Sequence, residues 1–335
     1  MSSFKKKIIL SCLLVLLAIA ASYGGMFLAF MNQSVTPGKP IALVVKPGAS
    51  FHAVSEQLHR DGVVADLLLF RLLGRLRGDT VNIKAGEYDF RQATTPGGVI
   101  DRLVDGDVRR YKLTIPEGFN LREIGARIEA ARIAPAAKLM ELANDPVFLT
   151  SLNLKAGSLE GYLFPETYTY VSGTNLQTLL KSMVEQFRDR LSPEIIAGAA
   201  AHGLDEHQTV TLASIVQKEA GNNDEMPLIA AVFLNRLKRR IPLQADPTVI
   251  YGLGEDFDGN ITRAHLRMPT PYNTYTMTGL PPGPIANPGV TALKAVASPA
   301  DVKYLYFVAK GDGTHTFSHT LKEHNKAVRK YQLKK

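Results

Sequence analysis

From Ile8 to Met31 the chain carries no charged residue; beyond it the pattern breaks into short alternating and helical stretches. That run exceeds the roughly 20 apolar residues that cross a bilayer as a helix, and Lys5, Lys6 and Lys7 stand directly ahead of it. Ala18, Ala20, Ala21 and Ser22 offer small residues for a signal-peptide cleavage site. The apolar stretch continues through Met26, Phe27, Leu28 and Phe30, however, so the segment reads as an uncleaved anchor. Lysines before the span and few positive charges after it place residues 1–7 in the cytoplasm and the rest outside. Residues 8–31 are thus a single-pass anchor in the cytoplasmic membrane, and the polar stretch 32–40 is a linker.

An internal repeat follows. Leu43, Val45, Gly48, Phe51, Val54 and Leu58 recur 70 residues later as Leu113, Ile115, Gly118, Leu121, Ile124 and Ile128. Each copy has an alternating strand, a Gly turn and an amphipathic helix. Between them Ala65–Leu76 reads as a helix, Gly86–Phe90 as a strand and Pro96–Asp105 as a helix, making 41–111 a small α+β module. Residues 112–335 are mostly helical, interrupted by two Gly/Pro/Tyr-rich stretches, Gly157–Tyr170 and Thr270–Gly289. A loop of about twenty residues inside a domain is either functional or a sign that its elements are misassigned. Lys303–Lys310 and Thr314–Ser318, around Gly311-Asp312-Gly313, read as a β-hairpin before a closing helix. The expected class is α+β: an N-terminal transmembrane helix, a small module and a larger, mostly helical domain with a C-terminal hairpin.

The helix predicted over Asp205–Gly221 carries the chemistry. Asp205 and Gln208 form a capping pair and Gly221 is placed as the C-cap. Leu212, Ile215, Val216 and Glu219 stand at i, i+3, i+4 and i+7, so a carboxylate shares the face of core residues while Lys218 points elsewhere. Apolar surroundings raise a carboxyl pKa and suit it to general acid catalysis. The plainer alternative has Glu219 turned to solvent or paired with Arg236. The next helix, Pro227–Arg240, sets Asn235 beside its apolar face; Gln244 and Asp246 follow, with Asp246-Pro247 as a helix start. Tyr272, Asn273 and Tyr275 add rings and an amide. An acid, planar amides and tyrosine faces together suit a sugar polymer.

Other chemistries are weaker. His315, His319 and Glu323 recur every four residues, a metal-binding spacing on a single helix. His315 falls in the expected strand, so no metal site is assigned. No phosphate-binding Gly loop or Gly-x-Ser-x-Gly elbow occurs, and Ser214 has no evident base. Cys12, the single cysteine, lies within the span, which excludes an intramolecular disulfide and a thiolate cluster. The net charge of +8 invites a nucleic-acid reading, but it resides in the N-terminal lysines and in a basic tail from Lys322 to Lys335. The body between is neutral, unlike a phosphate-tracking surface. The tail reads as a solvated helix face.

With these segments together, the chain resembles the endolytic murein transglycosylases (the MltG or YceG-like family), inner-membrane enzymes that act on peptidoglycan. The resemblance runs from the anchor to about Tyr331. It is carried by Ile115-Pro116-Glu117-Gly118, Glu160 to Tyr168 (EGYLFPETY), Leu212 to Glu219 (LASIVQKE), Phe233 to Leu237 (FLNRL), Leu243 to Tyr251 (LQADPTVIY), Tyr272 to Tyr275 (YNTY), Gly279 to Ile285 (GLPPGPI) and His315 to Ser318 (HTFS). The family's catalytic glutamate falls on Glu219, and the resemblance implies that 41–111 is LysM-like and binds glycan. One departure stands out: where members often carry tryptophan, this chain has Tyr162 and Phe164. If that segment lines the groove, stacking on sugar changes.

The implied reaction is lytic. Glu219 protonates the oxygen between N-acetylmuramic acid and N-acetylglucosamine, and the C6 hydroxyl of the muramic sugar, deprotonated by the same Glu219, closes on C1, leaving a 1,6-anhydro end. One carboxyl then suffices where glycosidases use a pair. Asn235, Gln244, Asp246, Tyr272, Asn273, Tyr275 and Glu166 are candidates for holding the glycan, and Asp246 or Glu166 as a second catalytic carboxylate makes the enzyme a hydrolase. No metal or organic cofactor is required, and no nucleic-acid partner is expected. Partners implied are nascent glycan strands, the inner membrane and penicillin-binding synthases. The competing class is a membrane-anchored, non-catalytic scaffold that binds peptidoglycan, from which an apolar-face acid distinguishes an enzyme.

Overall fold

A computed structural model describes residues 3–333. Met1 and Ser2 of the N-terminal segment and Lys334 and Lys335 of the basic tail lie outside the described residues. The chain divides into two compact units, one running to Tyr111 and including Thr169–Thr174, the other formed by Lys112–Tyr168 with Asn175 onward.

In the first unit a long helix, α1 (Ser3–Asn32), is followed by β1 (Ile41–Val45), α2 (Phe51–Arg60), α3 (Leu67–Arg77), β2 (Gly86–Phe90) and α4 (Pro96–Asp105). Within α1, Lys7–Asn32 is long and apolar enough to cross a membrane, with a mean hydropathy of 2.3. β1 pairs antiparallel with β2, Leu43 opposite Tyr88. Ile41, Leu43 and Val45 are buried while Ala42 and Val44 are exposed, the alternation of a one-sided sheet. Their buried face meets Phe51, Val54 and Leu58 of α2, Phe70 of α3 and Val99, Ile100 and Leu103 of α4. Phe30, in the last turn of α1, is only 4% exposed and belongs to this core. The linker is tied down too: Val35 and Thr94 exchange backbone hydrogen bonds of 3.0 and 3.1 Å.

The second copy of the repeat is β3 (Arg110–Thr114) and α5 (Leu121–Ala130). Gly48 and Gly118 share φ +77°, a left-handed conformation that glycine adopts freely. Two residues on, Ser50 and Asn120 cap their helices by accepting from Ala53 N and Glu123 N. The chain continues as α6 (Ala136–Ala143), α7 (Pro146–Ser151), β4 (Thr167–Val171), α8 (Leu176–Arg190), α9 (Pro193–Ala201), α10 (Glu206–Glu219), α11 (Met226–Lys238), α12 (Asp246–Leu253), α13 (Val290–Ala297), β5 (Tyr306–Ala309), β6 (His315–Ser318) and α14 (Leu321–Tyr331). β5 and β6 form the expected hairpin, with Ala309 opposite His315.

Helix α10 is the hub of the second unit, packing against α9, α11, α12 and α13. Every residue from Thr209 to Val216 is buried, so the apolar face seen in the sequence is a full circumference. The polar members of that run stay within the helix: Thr209 and Thr211 donate to the carbonyls four residues back, and Ser214 donates to Thr211 O at 2.7 Å. The expected capping box at Asp205 and Gln208 is present. The C-cap is Ala220 rather than Gly221. Gly221 serves another purpose, since a Cβ there would strike the carbonyl of Gly313 in the hairpin turn.

Parts of both Gly/Pro/Tyr-rich stretches are interior. Leu159 to Pro165 is buried, as are Asn273, Thr274 and Ile285 to Asn287, and the first stretch ends in β4. Buried irregular backbone needs hydrogen-bond partners, and side chains supply them. Asn287 accepts from Leu163 N and donates to Phe119 O, both at 2.8 Å, while Ser214 accepts from Ile285 N at 3.0 Å.

Candidate active site

Glu219 ends α10 at the rim of a cleft of about 420 Å³. The cleft is bordered by Arg236 of α11, Gln244 and Asp246 at the entry to α12, Tyr275, the hairpin face of Phe307, Ala309 and His315, and His324 of α14. The Glu219 carboxyl is half-buried, and among the described residues it has no hydrogen bond or ion pair. Burial pushes its pKa up to about 8; the negative charge of Asp246 adds to the rise, and the positive charge of Arg236 opposes it. A carboxyl in this setting holds its proton at neutral pH.

Arg236 leaves Glu219 unpaired because its guanidinium is committed elsewhere. It donates to Leu305 O at 2.7 Å, Leu243 O at 2.8 Å, Pro242 O at 3.1 Å and Gln244 Oε1 at 3.3 Å, over the ring of Tyr306. Its work is to join the hairpin to the 242–244 segment, with its charge facing the cleft as a field. Gln244 has φ +51°, a left-handed backbone that costs a non-glycine residue on the order of 1 kcal/mol. Its N–H donates to Thr274 O at 3.1 Å. Asp246, exposed, accepts from the Tyr275 hydroxyl at 2.5 Å.

Glu219, Gln244, Asp246 and Tyr275 therefore come together, and the other candidates do not. The Asn235 amide donates to Val302 O and Tyr304 O, at 2.9 and 3.0 Å. Asn273 is fully buried, its amide donating to His265, Leu266 and Met268 carbonyls. Tyr272 packs on Tyr251, ring centroids 4.7 Å apart, beside Glu160. Glu166 is exposed outside the cleft, 3.9 Å from Arg190. Tyr162 and Phe164 are core residues: the Tyr162 hydroxyl meets His207 Nδ1 at 2.8 Å, and the Phe164 ring lies under Arg190.

Sequence reasoning missed the histidines of the cleft. His315 Nδ1 lies 2.8 Å from Glu225 Oε2, and its backbone N–H donates to Glu225 Oε1 at 2.9 Å. The partners are 90 residues apart in the chain, so no local pattern announces them. His324 stacks on Tyr306 at 5.3 Å, and burial lowers its pKa. The four-residue spacing of His315, His319 and Glu323 makes no cluster. His319 packs at a tilt on Tyr304 and Glu323 caps α14. A second buried carboxyl, Glu160, also went unread. It accepts from Leu121 N and the Tyr251 hydroxyl, each at 3.1 Å, and from Asn287 Nδ2 at 3.2 Å, and burial pushes its pKa to about 7.

Comparison with known proteins places this architecture. The pattern of the YceG-like family matches residues 43–330. An endolytic murein transglycosylase of Bacillus subtilis is 33% identical over 304 residues, covering 86% of this chain and 83% of that protein. One from Streptococcus pneumoniae is 28% identical over 352 residues, covering 94% of this chain and 63% of that longer protein. In three dimensions the crystal structure of a YceG-like protein of Listeria monocytogenes aligns with a TM-score of 0.60 at 33% identity, over 86% of this chain and 98% of that one. The chain belongs to the YceG-like family.

Proposed function

We propose that the protein is an endolytic lytic transglycosylase of peptidoglycan and that Glu219 is its acid. The observation that carries the assignment is a carboxyl without a hydrogen-bonding partner, its pKa raised to about 8, at the rim of a polar cleft. Such a group enters the reaction protonated. It gives its proton to the oxygen between N-acetylmuramic acid and N-acetylglucosamine, and the bond from that oxygen to C1 breaks. Positive charge develops on the muramic ring, where the negative charges of Asp246 and of the Glu219 carboxylate left after proton transfer stabilise it. The C6 hydroxyl then closes on C1, giving up its proton to a base of the cleft, and leaves a 1,6-anhydro end without consuming water. Gln244 and Tyr275 border the same space and are the groups placed to hold sugar hydroxyls.

The surrounding organisation follows the family. Residues 41–111 act as a LysM-like glycan-binding module and 112–335 as the catalytic domain. Residues 8–31 anchor both in the bacterial inner membrane, with residues 1–7 cytoplasmic and 32–40 as the linker. There the enzyme cuts nascent strands beside penicillin-binding synthases and ends their elongation. Support comes from the length and apolarity of Lys7–Asn32 and from the names of the relatives.

Digestion of purified peptidoglycan followed by mass spectrometry tests the assignment. The wild-type protein is expected to yield anhydro-ended fragments, and Glu219→Gln, which keeps shape but cannot titrate, to lose activity by about 10²–10⁴-fold. Wild-type activity in Glu219→Gln removes the acid role. Reducing ends in place of anhydro ends indicate a hydrolase, with Asp246 as the second carboxylate in the cleft.

A further inference from the structure

Lytic closure asks for proton transfer at two oxygens of one sugar. The glycosidic oxygen must gain a proton while the C6 hydroxyl loses one, and a single carboxyl can do both only in sequence. The cleft holds a second group able to move a proton. Resting on the transglycosylase reading, we propose that His315 is a catalytic residue whose Nε2 accepts the proton of the C6 hydroxyl as O6 closes on C1.

The ring is built for that task. Glu225 grips His315 twice, one carboxylate oxygen accepting the backbone N–H and the other facing Nδ1 at 2.8 Å. Both side chains are nearly buried, at 9% and 13% exposure. A carboxylate at Nδ1 selects the tautomer with the proton on that nitrogen and leaves Nε2 with a lone pair, the logic of an acid-oriented histidine base. Among the described residues Nε2 has no hydrogen bond, yet it is not one of the buried polar atoms left without a partner; those are Thr270 Oγ1 and His324 Nδ1. Nε2 is therefore accessible to solvent, and His315 borders the cleft together with Glu219. Phe307 meets the ring edge-on at 5.3 Å and fixes its plane.

The acid and the histidine are also held to one another. Five residues separate Glu219 from Glu225, and this short segment clamps the hairpin turn at successive points. Gly221 lies against the Gly313 carbonyl, Asn222 Nδ2 donates to Gly313 O at 3.1 Å, and Asn222 Oδ1 accepts from Glu225 N at 3.1 Å. The segment that leaves the acid thus delivers the carboxylate that orients the base.

The step balances. The C1–oxygen bond breaks and the leaving oxygen takes the Glu219 proton. The O6–C1 bond forms and the O6 proton passes to Nε2, giving an imidazolium against the Glu225 carboxylate. That proton returns through cleft water to the Glu219 carboxylate, restoring both groups with nothing oxidised or hydrolysed.

Five full-length proteins digesting purified peptidoglycan test the proposal: wild type, Glu219→Gln, His315→Gln, His315→Gly and Glu225→Gln. His315→Gln is expected to lose about 100-fold or more in turnover. Its sedimentation with insoluble peptidoglycan should stay within about threefold of wild type, since the loss is in proton transfer. Glu225→Gln, which keeps an acceptor at Nδ1 but removes the charge, is expected to lose about tenfold. Added imidazole should restore turnover to His315→Gly in proportion to its concentration, which a purely structural histidine does not allow. Wild-type turnover in His315→Gln overturns the proposal, and so does a loss that imidazole leaves untouched. If His315→Gln melts below the assay temperature, Glu225→Gln decides, and wild-type turnover there overturns the proposal equally. An inactive Glu219→Gln beside a fully active His315→Gln removes only the histidine's role, whereas an active Glu219→Gln removes the transglycosylase reading itself.

Discussion

Glu219 keeps its proton chiefly because it is desolvated, and the charge of Asp246 strengthens the effect. The two causes are separable. The working form of an acid is protonated, so activity should fall about tenfold per pH unit above the Glu219 pKa of about 8. Asp246→Asn removes the like charge while keeping an oxygen for the Tyr275 hydroxyl. Ionised Glu219 then becomes easier to form, its pKa falls and the alkaline limb of the rate profile moves to lower pH. Burial, the larger cause, still holds the limb well above 4.5. Initial rates of fragment release between pH 5 and 10 measure this directly, and a limb that stays in place would show that Asp246 does not feel the acid's charge. Glu219 was legible from its spacing with Leu212, Ile215 and Val216 because helix periodicity fixes which side chains share a face. Gln244, Asp246 and Tyr275 were legible as residue types in the right segments. Residue type did not place Asn235 and Asn273, whose amides bond backbone carbonyls, since an amide suited to a sugar hydroxyl is equally suited to a buried carbonyl. Only the fold decides which partner it meets.

At the scale of elements, short-range chemistry was the readable part. The strand, turn and helix of each repeat copy, the capping box of α10 and the terminal hairpin follow from alternation, periodicity and turn residues, and each lies where those rules put it. What pairs across long stretches of chain was hidden: Asn287 satisfies Leu163 from 124 residues away, which brings parts of the two Gly/Pro/Tyr-rich stretches into the core. Gly221 shows the same limit. A glycine after a helix suggests a left-handed cap, but here it admits the backbone of the hairpin turn. Gly221→Ala is therefore expected to leave α10 helical and to push the turn at Gly313 outward, carrying His315 and the cleft wall with it. Turnover should fall about tenfold or more, with a loss of stability of about 1–3 kcal/mol for the overpacked contact. Peptidoglycan digestion together with thermal melting checks both numbers. Unchanged turnover would mean that the hairpin has no part in placing the reactive groups.

At the scale of the whole chain, the +8 charge belongs to its ends, whereas the site is built from a carboxylic acid and polar side chains in a neutral body. The boundary between anchor and module is equally instructive. The sequence separates them with a polar linker, yet Phe27, Phe30 and Met31 of α1 pack on the module core, and Val35 is bonded to Thr94 behind them. An anchor merged into a folded unit holds that unit at a fixed height, whereas a flexible tether lets it wander. The same packing makes the last turn of α1 a structural part of the module. A protein shortened to begin at Gln33 loses Phe30 from the core, while one beginning at Met26 sheds most of the apolar span and keeps it. Removing a buried phenylalanine costs about 3–5 kcal/mol, enough to lower the melting temperature of a unit this size by more than about 10 °C. Hydrogen exchange at the paired amides of β1 and β2 should accelerate in the Gln33 protein, and Phe30→Ala in the Met26 protein should reproduce it. Equal protection in all three would make α1 a tether with no share in the fold.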